Sequence, residues 1–377
     1  MNGRWRRQAQ SAELDGAAPD AGGGAGTGGG TGTEMGNGAL AVEDIAPQRR
    51  QEAQRHSQVG RRIEAWALVV MWVLLIISFS LAEPGLFMTV GNWANILGSQ
   101  AVLLMLALAS LIPLIMRDFD LSLGGIATLS AMTMAILNVE DHMNVVLACV
   151  IAIAVSLCVS AINALLTVRY GGDPFVITLG MVTVLTGVIY LISGSATVGV
   201  VSGKFSEVIF IDTFAGIPVE FYVGILVMLV VWYILAMTPA GQQAVIVGES
   251  REVAKLSGVR VARARTIGYL AAGLIAGLGG LVYAATTGSV DPTAGGTQLL
   301  LPAVAAVFLG STCFTPGRFN APGSAIAVYF LASGAAGLQI LGAQDYVQQL
   351  FYGAALIVAV ILPKFLGPGR GVNFKLL

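Results

Sequence analysis

Charged residues are scarce in this sequence. Asp, Glu, Lys and Arg make up only 11% of the 377 residues, whereas 56% are hydrophobic. Soluble domains carry a far larger share of charge, so this composition excludes a soluble enzyme and indicates a protein embedded in a lipid bilayer. The net charge of −1 also gives no electrostatic basis for binding nucleic acid. We therefore expect membrane lipid around the chain and no nucleic-acid partner.

The residues that metal and nucleotide chemistry require are also few. The chain has two histidines and three cysteines, and it contains no CxxC or HExxH pattern. These residues supply neither a metal-ligand set nor a disulfide framework. The pair Gly203-Lys204 lacks the upstream glycine of a phosphate-binding loop and is followed by Phe205. We predict no catalytic residue, metal or cofactor in this chain, and any hydrolysis of ATP with Mg²⁺ would occur in a partner.

The chain divides into two parts of different composition. Residues 1–62 include a long run of glycine, alanine and threonine that has almost nothing to bury. Such a segment cannot offset the entropy cost of ordering, so a disordered cytoplasmic tail is predicted there. Some sixty polar residues precede the first apolar run, which is unlike a signal peptide and favours an uncleaved anchor. Residues 63–377 form the predicted transmembrane domain.

Long apolar runs dominate this second part. Runs of roughly 16–24 residues are long enough to cross a bilayer as helices. The sequence predicts an all-α polytopic membrane protein with about ten spans, at residues 65–82, 99–116, 122–138, 145–168, 175–193, 221–238, 266–286, 299–313, 323–341 and 347–363.

The positive charges test this topology. If both termini lie in the cytoplasm, every one of the 20 Lys and Arg residues except Lys204 falls on the cytoplasmic side. Short cytoplasmic loops collect Lys and Arg, so this distribution favours cytoplasmic termini.

The spans also suggest an internal repeat. Spans two to five and seven to ten form two blocks of four, and their odd offset makes the blocks run through the membrane in opposite directions. Transporters use such inverted repeats to alternate access between the two sides.

The longest cytoplasmic connection contains a short helical pattern. Ser250 is a typical N-cap and Gly258 a typical C-terminal stop, and between them Val253 and Leu256 form a small apolar face beside Arg251 and Lys255. A helix of two turns is marginal alone. Its apolar face predicts either docking into a groove on a partner protein or contact with the lipid headgroups.

Several motifs resemble the ribose-type permeases of bacterial ATP-binding cassette (ABC) importers, within the branched-chain amino acid/ribose superfamily. The segment 248–259 is similar to their cytoplasmic coupling loop. Further similarities follow in the same order as in the family, at residues 120–124 (DLSLG), 174–180 (PFVITLG), 291–295 (DPTAG), 309–312 (LGST) and 345–349 (DYVQQ). The resemblance extends from about residue 92 to residue 363.

This resemblance implies a permease subunit in the bacterial plasma membrane. Its expected partners are ABC ATPase subunits, an extracytoplasmic solute-binding protein and a second copy of the chain, and its expected solute is a monosaccharide such as ribose or a related sugar or polyol. An ion-coupled secondary transporter of a small polar solute is the alternative. A membrane enzyme is disfavoured because no catalytic set is present.

Two groups of site residues follow from these patterns. The expected ATPase-coupling residues are Glu249, Ser250, Arg251, Val253, Ala254, Lys255, Leu256, Ser257 and Gly258. The candidate residues of the translocation pathway are Asp120, Ser122, Asn163, Phe175 and Thr178. Polar side chains inside spans also serve helix packing, which is the other interpretation of Asn163 and Thr178.

The connection between the second and third spans is unusually charged. Arg117, Asp118 and Asp120 lie there within four positions. Charges at bilayer depth are costly and are usually paired or functional. Either the arginine of an interfacial turn faces the cytoplasm, or a charge pair lies near the pathway.

Overall fold

The computed structural model describes residues 65–199, 213–214, 216–293 and 296–365, and these are almost entirely helical. The predicted tail at 1–62 lies outside the described residues. The helices are α1 (Ala65–Ala82), α2 (Pro84–Phe87), α3 (Val90–Ser99), α4 (Ala101–Ile115), α5 (Leu123–Ala135), α6 (Val145–Ala164), α7 (Pro174–Ser193), α8 (Val219–Met237), α9 (Pro239–Glu249), α10 (Arg251–Leu256), α11 (Val261–Thr287), α12 (Gly296–Gly310), α13 (Ala321–Ile340) and α14 (Asp345–Phe365).

Short irregular elements complete the described chain. Two π-helical turns, Ile136–Glu140 and Leu165–Arg169, continue α5 and α6. The strands are β1 (Val198–Gly199), β2 (Thr213–Phe214), β3 (Ile217–Pro218) and β4 (Ser289–Val290), with β1 antiparallel to β4 and β2 antiparallel to β3.

The helices confirm an all-α polytopic membrane protein. Within the described ranges, eight helices are long and apolar enough to cross a bilayer, and two shorter apolar helices, Gln298–Gly310 and Tyr346–Val358, lie at the predicted eighth and tenth spans. Two helix starts differ from the prediction by more than three residues. The second span begins at Val90 rather than 99, because α3 continues into α4 almost without a break, and the seventh begins at Val261 rather than 266.

Capping residues explain where several spans begin and end. Asn144, Asp173 and Asn320 each accept a hydrogen bond from a backbone N–H in the first turn of the helix that follows. Gly194 and Gly288 end α7 and α11 in the left-handed conformation. These caps satisfy polar groups that a helix end leaves open.

Packing repeats between the two predicted blocks. Helices α4 and α11, the first of each block, lie against each other; α11 also packs on α5 and α6, and α4 packs on the equivalent α12 and α13. Within the first block α5 contacts α6 and α7, and within the second α12 contacts α13 and α14. This correspondence is the pattern that an inverted repeat produces.

The inner and outer helices differ in burial. Helix α4 is buried on almost all sides, and most of α5, α11 and α13 is buried as well. Helices α1, α6, α7 and α8 instead bury only a minority of their residues and leave many large apolar side chains exposed. Such surfaces are stable only against lipid or another apolar chain, because water would not solvate them favourably.

Candidate functional site

The short helix predicted between Ser250 and Gly258 is present as α10. Ser250 Oγ accepts a hydrogen bond from the backbone N–H of Val253 at 3.3 Å and so caps α10. Gly258 has φ of +80°, and beyond it the N–H of Val259 donates to the carbonyl of Ala254 at 2.9 Å. A left-handed glycine closes the helix without a Cβ clash. The short helix and both of its predicted ends are confirmed.

The apolar face of α10 is uncovered. The side chain of Leu256 is 88% exposed and that of Val253 is 55% exposed. Lys255, Ser257 and Gly258 are exposed beside them. We call Val253, Lys255 and Leu256 the α10 face, and it presents two large apolar side chains next to one cation.

Ala254 does not belong to that face. It is fully buried and packs with Met116, Ala244, Val247 and Val261 in a small apolar cluster separate from the main core. Ala254, one of the expected ATPase-coupling residues, therefore points to the opposite side of the helix from Val253 and Leu256, and its role in coupling stays a prediction. Ala254 holds α10 against the rest of the chain.

Arg251 also turns inward. Its guanidinium donates to Asp118 Oδ1 at 2.7 Å, although the prediction placed it beside the apolar face. Arg265 binds the same carboxylate through Nε to Oδ2 at 2.6 Å and Nη2 to Oδ1 at 3.0 Å. Asp118 is completely buried, so the two arginines compensate its charge in a low-dielectric site.

Arg117 is not part of this arrangement. Its side chain is exposed and its backbone has φ of +57°. Of the two interpretations of the charged connection, the exposed arginine fits an interfacial turn. The buried charge pairing at this turn is made by Asp118 with arginines far along the chain.

Three of the predicted pathway residues meet at one hydroxyl. Ser122 Oγ donates to Asp120 Oδ1 at 2.5 Å and accepts from Asn163 Nδ2 at 2.7 Å, while the N–H of Ser122 donates to the same carboxylate oxygen at 2.9 Å. All three side chains are buried. Among the described residues, Asp120 Oδ2 and Asn163 Oδ1 have no hydrogen-bond partner.

The carboxyl of Asp120 is strongly affected by this environment. Burial raises the pKa of Asp120 from its usual 3.8 to about 6, although the two hydrogen bonds from Ser122 oppose the rise. Burial disfavours the charged form of an acid, whereas donors to the carboxylate favour it. Asp120 lies in the 116–122 connection between two spans.

The other two pathway candidates have different settings. Thr178 is buried, and its hydroxyl accepts from the N–H of Leu121 at 3.1 Å and donates to the carbonyl of Pro174 at 2.8 Å. It therefore fixes the 116–122 connection against α7. Phe175, one turn earlier on the same helix, is half exposed.

Sequence reasoning missed a polar stripe on α6 and its π-helical extension. Ser156, Ser160, Asn163 and Thr167 are all buried and spaced by three or four positions, which places them on one helix face. Opposite them on α11, an added Cβ at Gly273 or Gly277 would collide with the first two serines, so the helices approach closely. The spacing of the four polar residues was the signal in the sequence. In the described part of the chain, no group of three His, Cys, Asp or Glu could hold a metal.

Comparisons with known proteins match most of the chain. A family model described as branched-chain amino acid transport system / permease component matches residues 92–360. The ribose import permease protein RbsC of Bacillus subtilis is 29% identical over 292 residues, covering 77% of this chain and 90% of the relative. The D-allose transport system permease protein AlsC of Escherichia coli is 28% identical over 294 residues, covering 78% and 89%.

A third relative has a different named solute. The fructose import permease protein FrcC of Rhizobium meliloti is 27% identical over 305 residues, covering 79% of this chain and 84% of the relative. No solved structure matches the chain. The family model covers well over half of the sequence, and the eight spanning and two shorter apolar helices of the described residues agree with a multi-pass membrane protein. This chain therefore belongs to the family of branched-chain amino acid transport system permease components, in its ribose-type branch.

Proposed function

We propose that this chain is the transmembrane subunit of an ATP-driven importer and that the α10 face docks into its ATPase partner. The observation that carries the proposal is the exposure of Val253 and Leu256 on a helix that is otherwise fixed. The side chain of Ala254 packs α10 against the rest of the chain and Arg251 pairs with Asp118, so the face has a defined position although nothing in the described chain covers it. Preorganised apolar anchors of this kind are typical of protein interfaces.

The solute is a small hydrophilic molecule, and a monosaccharide is the class best supported. Relatives named as ribose, D-allose and fructose permeases each align with more than three quarters of this chain. A binding protein outside the cytoplasmic membrane delivers the solute, and a second copy of the chain lines the pathway with the first. ATP and Mg²⁺ are bound by the partner ATPase.

The transport mechanism is alternating access. The two blocks, α4 to α7 and α11 to α14, supply two similar units that can move against each other. Binding and hydrolysis of ATP in the partner shift the population between inward-open and outward-open states through the α10 face. In this arrangement both termini and the 239–260 segment lie in the cytoplasm.

A substitution in the α10 face tests the docking. Leu256→Asp places a charge in a contact that would lose water on assembly, which weakens association by at least about 2 kcal/mol, or roughly thirtyfold. We expect normal abundance in the membrane, loss of the co-purified ATPase and loss of uptake. The amount of ATPase bound per permease is the measurement.

The matched control is Leu341→Asp. Leu341 is an exposed leucine that follows the last residue of α13, away from α10. This variant should retain the ATPase at wild-type stoichiometry. If Leu256→Asp also retains it and supports uptake, the assignment of the α10 face is wrong.

A further inference from the structure

Asp118 connects three separate parts of the molecule. It lies in the 116–122 connection between α4 and α5, and its carboxylate binds Arg251 of α10 and Arg265 of α11. The side chain of Asp118 is completely buried, that of Arg265 is 9% exposed and that of Arg251 is 40% exposed. A buried carboxylate with two guanidinium partners fixes the relative positions of all three elements.

The two ion pairs differ in geometry and in exposure. Arg265 makes two contacts with Asp118 in a fork, and Arg251 makes one contact with a single nitrogen. When α10 moves, Arg251 either pulls on the Asp118 carboxylate or releases it, and Arg265 still neutralises the buried charge in both cases. The contact with Arg251 can therefore change while the contact with Arg265 persists, because the large penalty for an unpaired buried charge does not arise.

The connection that carries Asp118 leads directly to the interior polar group. Met116 packs with Ala254 beneath α10, and Asp120 and Ser122 follow Asp118 in the same connection. Ser122 in turn binds Asn163 of α6, and the N–H of Leu121 binds Thr178 of α7. A displacement of Asp118 therefore reaches three spanning helices through direct contacts.

We propose that Asp118 is a positioning residue that transmits the movement of α10 to the Asp120–Ser122–Asn163 group through its contact with Arg251. The proposal rests on the proposed function, because α10 moves only if a partner engages it. The direct contacts supply the physical route: the Asp118 carboxylate joins α10 to a seven-residue connection whose own hydrogen bonds hold α5, α6 and α7. Asp118 itself touches neither solute nor ATP in this scheme.

The test uses Arg251→Gln in the complete importer, reconstituted with its ATPase and binding protein. Glutamine lacks the charge that draws α10 to Asp118, whereas Arg265 continues to neutralise the carboxylate. Solute transported per ATP hydrolysed is the readout. We expect it to fall by at least about fivefold, the lower end of typical coupling between two sites in a protein. The ATPase should remain bound, because Arg251 points away from the α10 face.

Two further variants separate transmission from other effects. Arg251→Lys restores a cation and should recover a large part of the coupling. Arg318→Gln removes the same charge from an exposed arginine whose contact with Glu249, at 3.8 Å, leaves both side chains mostly exposed. It should transport like the wild type. A purely structural role of Arg251 would lower the melting temperature without changing the solute transported per ATP.

The outcomes distinguish this proposal from the proposed function. If Arg251→Gln retains the ATPase and couples like the wild type, the transmission by Asp118 is wrong and the importer stands. The transmission is equally wrong if Arg318→Gln uncouples as strongly as Arg251→Gln. A wild-type chain that binds no ATPase would overturn the proposed function itself.

Discussion

Removing the carboxylate of Asp118 should destabilise the fold severely. In Asp118→Ala the guanidinium of Arg265, with a side chain only 9% exposed, would remain buried without an anion. Leaving one partner of a buried pair uncompensated costs about 3–5 kcal/mol. Arg251 adds little to this, because its side chain is 40% exposed and can turn toward water. The expected loss is therefore about 3–5 kcal/mol, nearly all of it from Arg265.

The assay is thermal unfolding of the purified chain in detergent, with a double-mutant cycle as control. Asp118→Asn keeps one acceptor oxygen and should be less damaged than Asp118→Ala. Arg265→Met combined with Asp118→Ala removes both charges and should recover a large part of the loss, since the pair is no longer broken on one side only. The reasoning is refuted if Asp118→Ala melts like the wild type, or if the second substitution only adds further damage.

Two other predictions concern stability. Asp120 holds its proton in the folded chain up to about pH 6, but in the unfolded chain only up to about 3.8, so stability should fall as pH rises between these values. Above pH 6 the ionised carboxyl lowers the free energy of unfolding by about 3 kcal/mol. Asp120→Asn should therefore melt at a higher temperature than the wild type at pH 8 and lose that advantage near pH 4. Equal melting temperatures of the two proteins at both pH values would contradict this. An added Cβ in Gly280→Ala would collide with the backbone carbonyl of Ala127 on α5, which should cost about 1–3 kcal/mol. Gly187→Ala on α7 meets nothing within 4 Å and should melt like the wild type or higher, so equal losses in the two variants would exclude the close approach of α5 and α11.

Hydropathy predicted the spans well, because the bilayer requires long apolar helices whatever their packing. The misplaced start of the second span has a physical reason. Helix α3 contains Asn92, Trp93 and Asn95, which lower its apolar character, yet it continues into α4 across Gln100. The π-helical turns after α5 and α6 had no signal in composition.

The segment at residues 248–259 shows which features a local pattern can predict and which it cannot. Ser250 and Gly258 were predicted as helix ends, because a cap and a left-handed glycine depend on neighbouring residues alone. The inward turn of Arg251 depends on Asp118, which lies 133 positions earlier in the chain. Ala254 is likewise buried in a cluster that includes Met116, 138 positions earlier in the chain. Contacts of this range arise from tertiary packing, which no local pattern specifies.

The Asp120–Ser122–Asn163 group was only partly predicted, again because its contacts join distant parts of the chain. Asp120, Ser122 and Asn163 were selected as polar residues in or near spans, and the structure joins them at one hydroxyl. Ser122 and Asn163 are 41 positions apart, and no sequence pattern indicated that they are in contact. That this group lines the translocation pathway is a prediction, which transport assays on Asn163→Ala would test.

Uptake by proteoliposomes is the most direct test of ATP-driven import. The purified chain would be reconstituted with its ATPase and binding protein, and accumulation of labelled ribose, allose and fructose would be measured with ATP inside the vesicles and no ion gradient. The account predicts accumulation of at least one sugar that requires ATP, the binding protein and an intact α10 face, with no accumulation after Leu256→Asp. Accumulation driven by a proton or sodium gradient without ATP would contradict it and would identify an ion-coupled transporter instead.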